Sequence, residues 1–182
     1  MTHTSGERRG HRSRRSGASR LVPAIGVAIC AALAVAGCGS DGGGADALPA
    51  AELVSLADGS SSSAADLDGP AVVNLWATWC GPCRKELPAF QQVHEELGDT
   101  VRFIGVNQGD GSDAVTDYLA EVGVDFDQYL DEDGALSDGL RITGLPATAF
   151  VAADGSLVEV HSGQLSADEL RDLIAKDLGV GA

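Results

Sequence analysis

Histidine is scarce in this sequence: there are four in 182 residues, and only His94 and His161 lie beyond position 11. They stand alone rather than paired at three to five residues, so the spacing of a zinc site is missing. Arg84, not histidine, follows the second cysteine of Cys80–Cys83, which removes covalent haem attachment. Long apolar runs are missing too. The most apolar stretch, Leu21–Ala36, has sixteen residues including Pro23, short of the roughly 20 that cross a bilayer. Basic residues nearly vanish after position 20, where six Lys and Arg face 26 Asp and Glu. A chain this acidic does not seek nucleic acid or anionic lipid, and the excess acid reads as a solvated surface. DEDG at 131–134 lacks the alternating ligands and terminal glutamate of a calcium loop and reads as a turn. No metal or cofactor is expected.

What the sequence does have begins with an asymmetry. Six arginines (Arg8, Arg9, Arg12, Arg14, Arg15, Arg20) precede the apolar stretch, and Gly37, Cys38 and the polar run GSDGGGADA follow it. Basic, apolar, then small residues is the order of a secretory leader. Arg14 and Arg15 leave twin-arginine export open, although Ser16, Gly17 and Ala18 follow them where that signal is usually more apolar. Leu33 to Cys38 resembles the lipobox of bacterial lipoproteins, which implies removal of residues 1–37 and lipidation of Cys38. Cys30 does not fit, because bulky Ile29 precedes it. A doubly acylated Cys38 would hold the protein on a membrane, whereas one chain would not. The expected organisation is a signal peptide at 1–37, a flexible tether at 38–48 and one domain at 49–182, long enough for its own core.

Along that domain, a short apolar segment (53–56) and the turn-rich DGSSSSAADLDG lead to AVVNLWA, apolar almost throughout, as a strand covered on both faces would be. Leu87, Phe90, Val93, His94 and Leu97 then mark a helix from Pro82 to near Gly98, with Pro88 expected to kink it. A strand at 101–107, a helix after Ser112 carrying Val115, Tyr118, Leu119 and Val122, and a strand near 126–130 follow. Strands at 147–152 and 157–161 join across Asp154 and Gly155 as a hairpin. A last helix opens with capping-box spacing at Ser166 and Glu169 and turns Leu170, Leu173, Ile174 and Leu178 inward. The alternation predicts an α/β fold, a central mixed sheet flanked by helices.

The chemistry centres on NLWATWCGPCRKELP, residues 74–88. A disulfide across two intervening residues closes too small a loop to remove much unfolded-state entropy, so a structural clasp is a poor use of Cys80 and Cys83. A strand running straight into a helix offers another use. Free N–H groups and the helix dipole at the helix start favour a thiolate, and Pro82 fits the first turn without wasting a hydrogen bond. Cys80 is then the nucleophile at the helix mouth and Cys83, one turn inside, the resolving thiol. Trp76 reads as core, and Trp79 as core or partner contact. His94 is placed on the helix surface or flank, and His161 in or after the hairpin.

WATWCGPCRKELP, preceded by AVVNL and followed some sixty residues later by GLPAT, resembles the thioredoxin superfamily, specifically its extracytoplasmic TlpA/ResA/DsbE-like branch. The resemblance covers about residues 48–178 and implies a thioredoxin fold with an N-terminal extension and a central insertion near 112–130. It implies a cis peptide before Pro146, and a partner-binding surface made by Trp79, Gly81, Pro82, Leu145 and Pro146. Cytoplasmic thioredoxins carry a buried aspartate where this chain has Asn74. Glu86 occupies the position where ResA-like proteins place an acid near the active site; it could take the proton of Cys83, or be a solvated glutamate near a helix start.

The resemblance implies a monomeric, membrane-tethered extracytoplasmic thiol-disulfide oxidoreductase acting on exported protein thiols and disulfides, apocytochrome c among them, with a membrane thiol-electron transporter as electron source. Reduction is the expected direction, since CGPC is the pair of reducing thioredoxins. An oxidant of newly exported chains and a non-catalytic peptide-binding module stand as alternatives. A peroxidase would need a PxxxTxxC-like setting, which the sequence lacks.

Overall fold

A computed structural model describes residues 47–181; the expected leader and Cys38 lie outside the described residues. Seven strands form one sheet: β1 (Glu52–Ser55), β2 (Ser61–Ser63), β3 (Ala71–Trp76), β4 (Arg102–Gln108), β5 (Asp127–Asp131), β6 (Ala147–Val151) and β7 (Leu157–Ser162). Their spatial order is β2-β1-β5-β4-β3-β6-β7. Strands β3, β4 and β5 run parallel, while β1, β2, β6 and β7 join antiparallel. Four helices accompany them, α1 (Gly81–Leu97), α2 (Ser112–Val122), α3 (Ala135–Gly139) and α4 (Ala167–Leu173), and a π-type turn at Ile174–Leu178 prolongs the last. This is the expected thioredoxin-like mixed sheet.

All six residues of β3 are buried, which is why its sequence does not alternate. Val72 and Trp76 belong to the core packed with Leu87, Phe90 and Val93 of α1, Tyr118 of α2 and Leu170 of α4. Val73 and Leu75 belong to the opposite core, with Leu48, Leu53, Ala64 and Leu136. Helix α1 keeps Pro88 inside it. Helix α4 opens with the complete capping box: Ser166 Oγ accepts from the Glu169 N–H, and Glu169 accepts from the Ser166 N–H.

Three local features depart from the sequence reading or add to it. The serine-rich stretch is not only turn, because Ser61–Ser63 pairs with β1 at the sheet edge and Ser63 Oγ caps a 3-10 turn at Ala64–Asp66. The acidic turn at 131–134 launches α3, since Asp131 accepts from the N–H groups of Ala135 and Leu136 at 2.9 and 3.0 Å. Folded structure also begins before residue 49: Ala47 bridges to Ser156 and Leu48 is buried.

The buried end of the sheet is tied by polar side chains as well as by packing. Trp76 Nε1 donates to Gln128 Oε1 at 3.1 Å, and Gln128 lies against Gly105 of β4, where any Cβ would collide with its amide. Gly105→Ala should therefore force Gln128 off Trp76 or spread β4 from β5, costing about 1–3 kcal/mol. Urea unfolding of the oxidised protein measures this, and a midpoint equal to wild type would mean that the site relaxes freely.

Candidate active site at the Cys80–Cys83 disulfide

Strand β3 delivers the chain to the site through Ala77–Trp79. Thr78 is fixed there by Asp110, which accepts from the Thr78 N–H at 2.7 Å and from its hydroxyl at 2.8 Å. Asp110 is itself held by Asn107 Nδ2 at 2.9 Å, so the end of β4 braces the turn that follows β3. Cys80 then caps α1, accepting from the Cys83 N–H at 3.2 Å, while Arg84 donates its N–H to the Cys80 carbonyl. Cys80 and Cys83 form a disulfide with Cα atoms 5.3 Å apart. Cys83 is fully buried and Cys80 nearly so. The dipeptide between them, Gly81 and Pro82, is exposed.

Trp79 is 69% exposed, a large apolar ring left in water beside the disulfide rather than packed into the core. Trp76 is fully buried and packs at a tilt against Tyr118, ring centroids 5.8 Å apart. The Leu145–Pro146 peptide is cis. Pairing of Leu75 with Ala147 sets Pro146 beside the end of β3, at the same end of the sheet as Cys80. Leu145 is half-buried, and Pro146 is buried.

Glu86 is not a solvated glutamate. It lies one turn after Cys83 and is fully buried. Its Oε1 accepts from Asn74 Nδ2 at 2.8 Å, and its Oε2 accepts from the Leu165 N–H at 3.0 Å. Burial pushes its carboxyl up from 4.5 to about 7, although both hydrogen bonds favour the charged form. Asn74 therefore removes one buried acid and orients another. Two polar atoms beside this pair have no hydrogen-bond partner, Asn74 Oδ1 and Thr148 Oγ1, and these residues face each other across β3 and β6.

Sequence reasoning missed Asp110, Gln128 and Thr148. Only Thr148 left a trace, as the threonine of GLPAT. His94 is half-buried, edge-on to Phe103 and Phe126 with centroids 5.4 and 5.7 Å away, so it packs rather than catalyses. His161 sits in β7 opposite Thr148. Among the described residues, no group of His, Cys, Asp or Glu could hold a metal ion.

A sequence model described as the AhpC/TSA family matches residues 45–160. The chain is 32% identical to a Bacillus subtilis protein named thiol-disulfide oxidoreductase ResA, over 59% of this chain and 61% of that one; it thus spans less than two thirds of that relative. It is 35% identical to the thiol:disulfide interchange protein DsbE of Pseudomonas fluorescens, over 70% and 71% of the two chains. Among solved structures, a secreted Mycobacterium tuberculosis disulfide oxidoreductase, described as homologous to E. coli DsbE, superposes with a TM-score of 0.61. Its identity is 26%, over 70% of this chain and 96% of that one.

A buried carboxyl with a raised pKa has a measurable consequence for stability. The folded protein holds the Glu86 proton more tightly than the unfolded chain does. Below pH 4.5 both states carry it; between 4.5 and about 7 stability falls as pH rises, by about 3 kcal/mol in total, and then levels off. Glu86→Gln has no proton to lose, and an amide flip lets Asn74 Oδ1 accept from it. The variant should gain on wild type as pH rises through this window in urea titrations; a difference that stays constant with pH would place no such ionisation at Glu86.

Proposed function

The chain belongs to the AhpC/TSA family of thioredoxin-like proteins, and on that footing we propose that it is a thiol-disulfide oxidoreductase of the ResA/DsbE type that reduces disulfides in exported proteins. The observation that carries this reading is the Cys80–Cys83 disulfide at the mouth of α1, with a buried carboxyl one turn behind it. The relatives named above carry thiol-disulfide oxidoreductase or interchange names, and the similar M. tuberculosis protein is described as secreted.

In the reduced enzyme the first N–H groups of α1, the Cys83 N–H among them, stabilise a Cys80 thiolate. That thiolate attacks one sulfur of the partner's disulfide. The partner's other sulfur leaves as a thiolate, and a mixed disulfide remains on Cys80. Cys83 must then lose its proton to attack Cys80 Sγ, and in this interior Glu86 is the group to take it, its pKa of about 7 suiting a base at neutral pH. Cys83 displaces the partner, and the Cys80–Cys83 disulfide holds the two electrons' worth of oxidation. Trp79, Gly81, Pro82, Leu145 and Pro146 form the surface on which the partner's segment lies.

The reductive direction is supported by the Gly-Pro dipeptide and by the ResA-like relatives. The sequence order around Cys38 supports attachment to the outer face of the cell membrane by lipid. In that setting a monomeric domain takes electrons from a membrane thiol transporter and passes them to exported disulfides, apocytochrome c included. No cofactor takes part.

Cys83→Ser should accumulate mixed disulfides through Cys80 in cells; absence of adducts, together with no reduction or oxidation of protein disulfides by wild type, would leave only a peptide-binding module. Release of the trapped partner should accelerate through pH 7 in wild type. In Glu86→Gln it should be slower by on the order of a hundredfold and lose that pH dependence. A reduction potential near −120 mV, the value of a strong oxidant, would overturn the reductive direction and leave the dithiol chemistry intact.

A further inference from the structure

Residues 47–181 contain six Lys and Arg against 24 Asp and Glu. With acids so abundant, a cation without an acidic partner is conspicuous. Three of the six are paired: Arg102 with Asp127, Arg171 with Glu96 and Asp168, Lys176 with Glu159 and Asp177. Among the described residues, the other three, Arg84, Lys85 and Arg141, make no ion pair, and all three are exposed. Arg84 and Lys85 follow directly on Cys83. Arg141 lies on the loop that runs into Pro146, four residues before Leu145, a chain span of at most about 14 Å.

These cations are placed by specific means. Arg84 lies over the Tyr118 ring, its Cζ 4.7 Å from the centroid, and the Tyr118 hydroxyl donates to the Arg84 carbonyl at 3.2 Å. Helix α2 thereby fixes a guanidinium beside the disulfide without neutralising it, although α2 carries Asp113 and Asp117. Arg141 is held in the left-handed region at φ 57°, with its N–H donated to the Asp138 carbonyl. Asp110, which contacts the turn before Cys80, is already taken by Thr78 and Asn107, and Glu86 is buried and held by Asn74 and Leu165.

We propose that Arg84, Lys85 and Arg141 select protein partners whose reacting cysteines are flanked by Asp or Glu. The selection rests on the dithiol exchange proposed above. Two fields compete at this surface, since the domain as a whole is strongly negative and attracts basic partners from afar. At physiological salt the Debye length is about 8 Å, so a cysteine already seated on Trp79 and Pro146 senses chiefly Arg84 and Lys85, which adjoin Cys83, with Arg141 adding to them at low salt, and little of the distant acid. Local charge then decides which segment reacts, while net charge keeps the protein clear of anionic surfaces.

The test uses the reduced protein and three short peptides, each supplied as its symmetric disulfide, with the cysteine flanked by Asp, Ser or Lys. In each reaction Cys80 attacks one peptide sulfur, Cys83 displaces the peptide from Cys80, and two peptide thiols are released for one protein disulfide formed. Each rate of thiol release is divided by that of dithiothreitol on the same peptide, which removes the peptide's own reactivity. The Asp peptide should exceed the Ser peptide about fivefold at 0.05 M salt, and the Lys peptide should fall below it. The preference should collapse at 1 M salt, and it should be lost in the triple variant Arg84→Ser, Lys85→Ser, Arg141→Ser. Lys85→Glu alone, at an exposed position with no side-chain hydrogen bond or ion pair among the described residues, should weaken it, so the idea does not depend on the triple variant folding. Equal normalised rates for the Asp and Ser peptides, or a preference unchanged in the variants, would overturn the selection and leave the enzyme reading standing. No exchange with any peptide above the uncatalysed rate would instead remove the enzyme reading.

Discussion

The buried carboxyl of Glu86 is the constraint around which this site is arranged. Left alone in an apolar core it would be costly, and the structure meets that cost from three directions. Strand β3 offers the Asn74 amide, α1 carries the glutamate itself, and the chain entering α4 turns the Leu165 N–H toward it. One side chain thereby joins three elements that are far apart in sequence. Because Cys83 sits one turn before it on the same helix, the same link that orders the core also places a protonatable group one turn from the inner sulfur of the disulfide. Two unpaired atoms beside it, Asn74 Oδ1 and Thr148 Oγ1, show that polarity here is kept where packing alone would exclude it.

The framework of the fold was legible because its signals are local. A strand such as AVVNLWA announces burial on both faces, Asp154–Gly155 announces a hairpin, and Ser166 with Glu169 announces a helix start; each involves residues within a few positions of one another. The features that escaped depend on distance. Nothing near Asp110 in sequence shows that it will brace Thr78, and nothing near Gln128 shows that it will hold Trp76, since those contacts exist only once the parallel strands are in register. Asp131 was visible as part of an acidic cluster, but its use as the acceptor that starts α3 depends on how Ala135 and Leu136 present their N–H groups.

The site itself was half legible. Cys80 and Cys83 follow from spacing and from the strand–helix junction alone. Pro146 needed the resemblance, since a proline in sequence carries no mark of its isomer. Glu86 was the ambiguous one: a glutamate near a helix start is ordinarily a solvated group that favours the dipole, and only the placement of Leu165 and Asn74 turns it into a buried acid. Charge shows the same limit. Composition reveals the acidic excess, but which cations have been left unneutralised among the described residues is a property of the folded surface.

The pairing of Ala47 with Ser156 has a further meaning for the way the domain is presented. Strand β6 starts at the disulfide end of the sheet and finishes at the other, so Ser156, just past the hairpin turn, stands at the pole away from Cys80. The described chain therefore enters the sheet at the end opposite the Cys80–Cys83 disulfide, and the face that carries the disulfide and the point of entry are separated by the full length of the central strands.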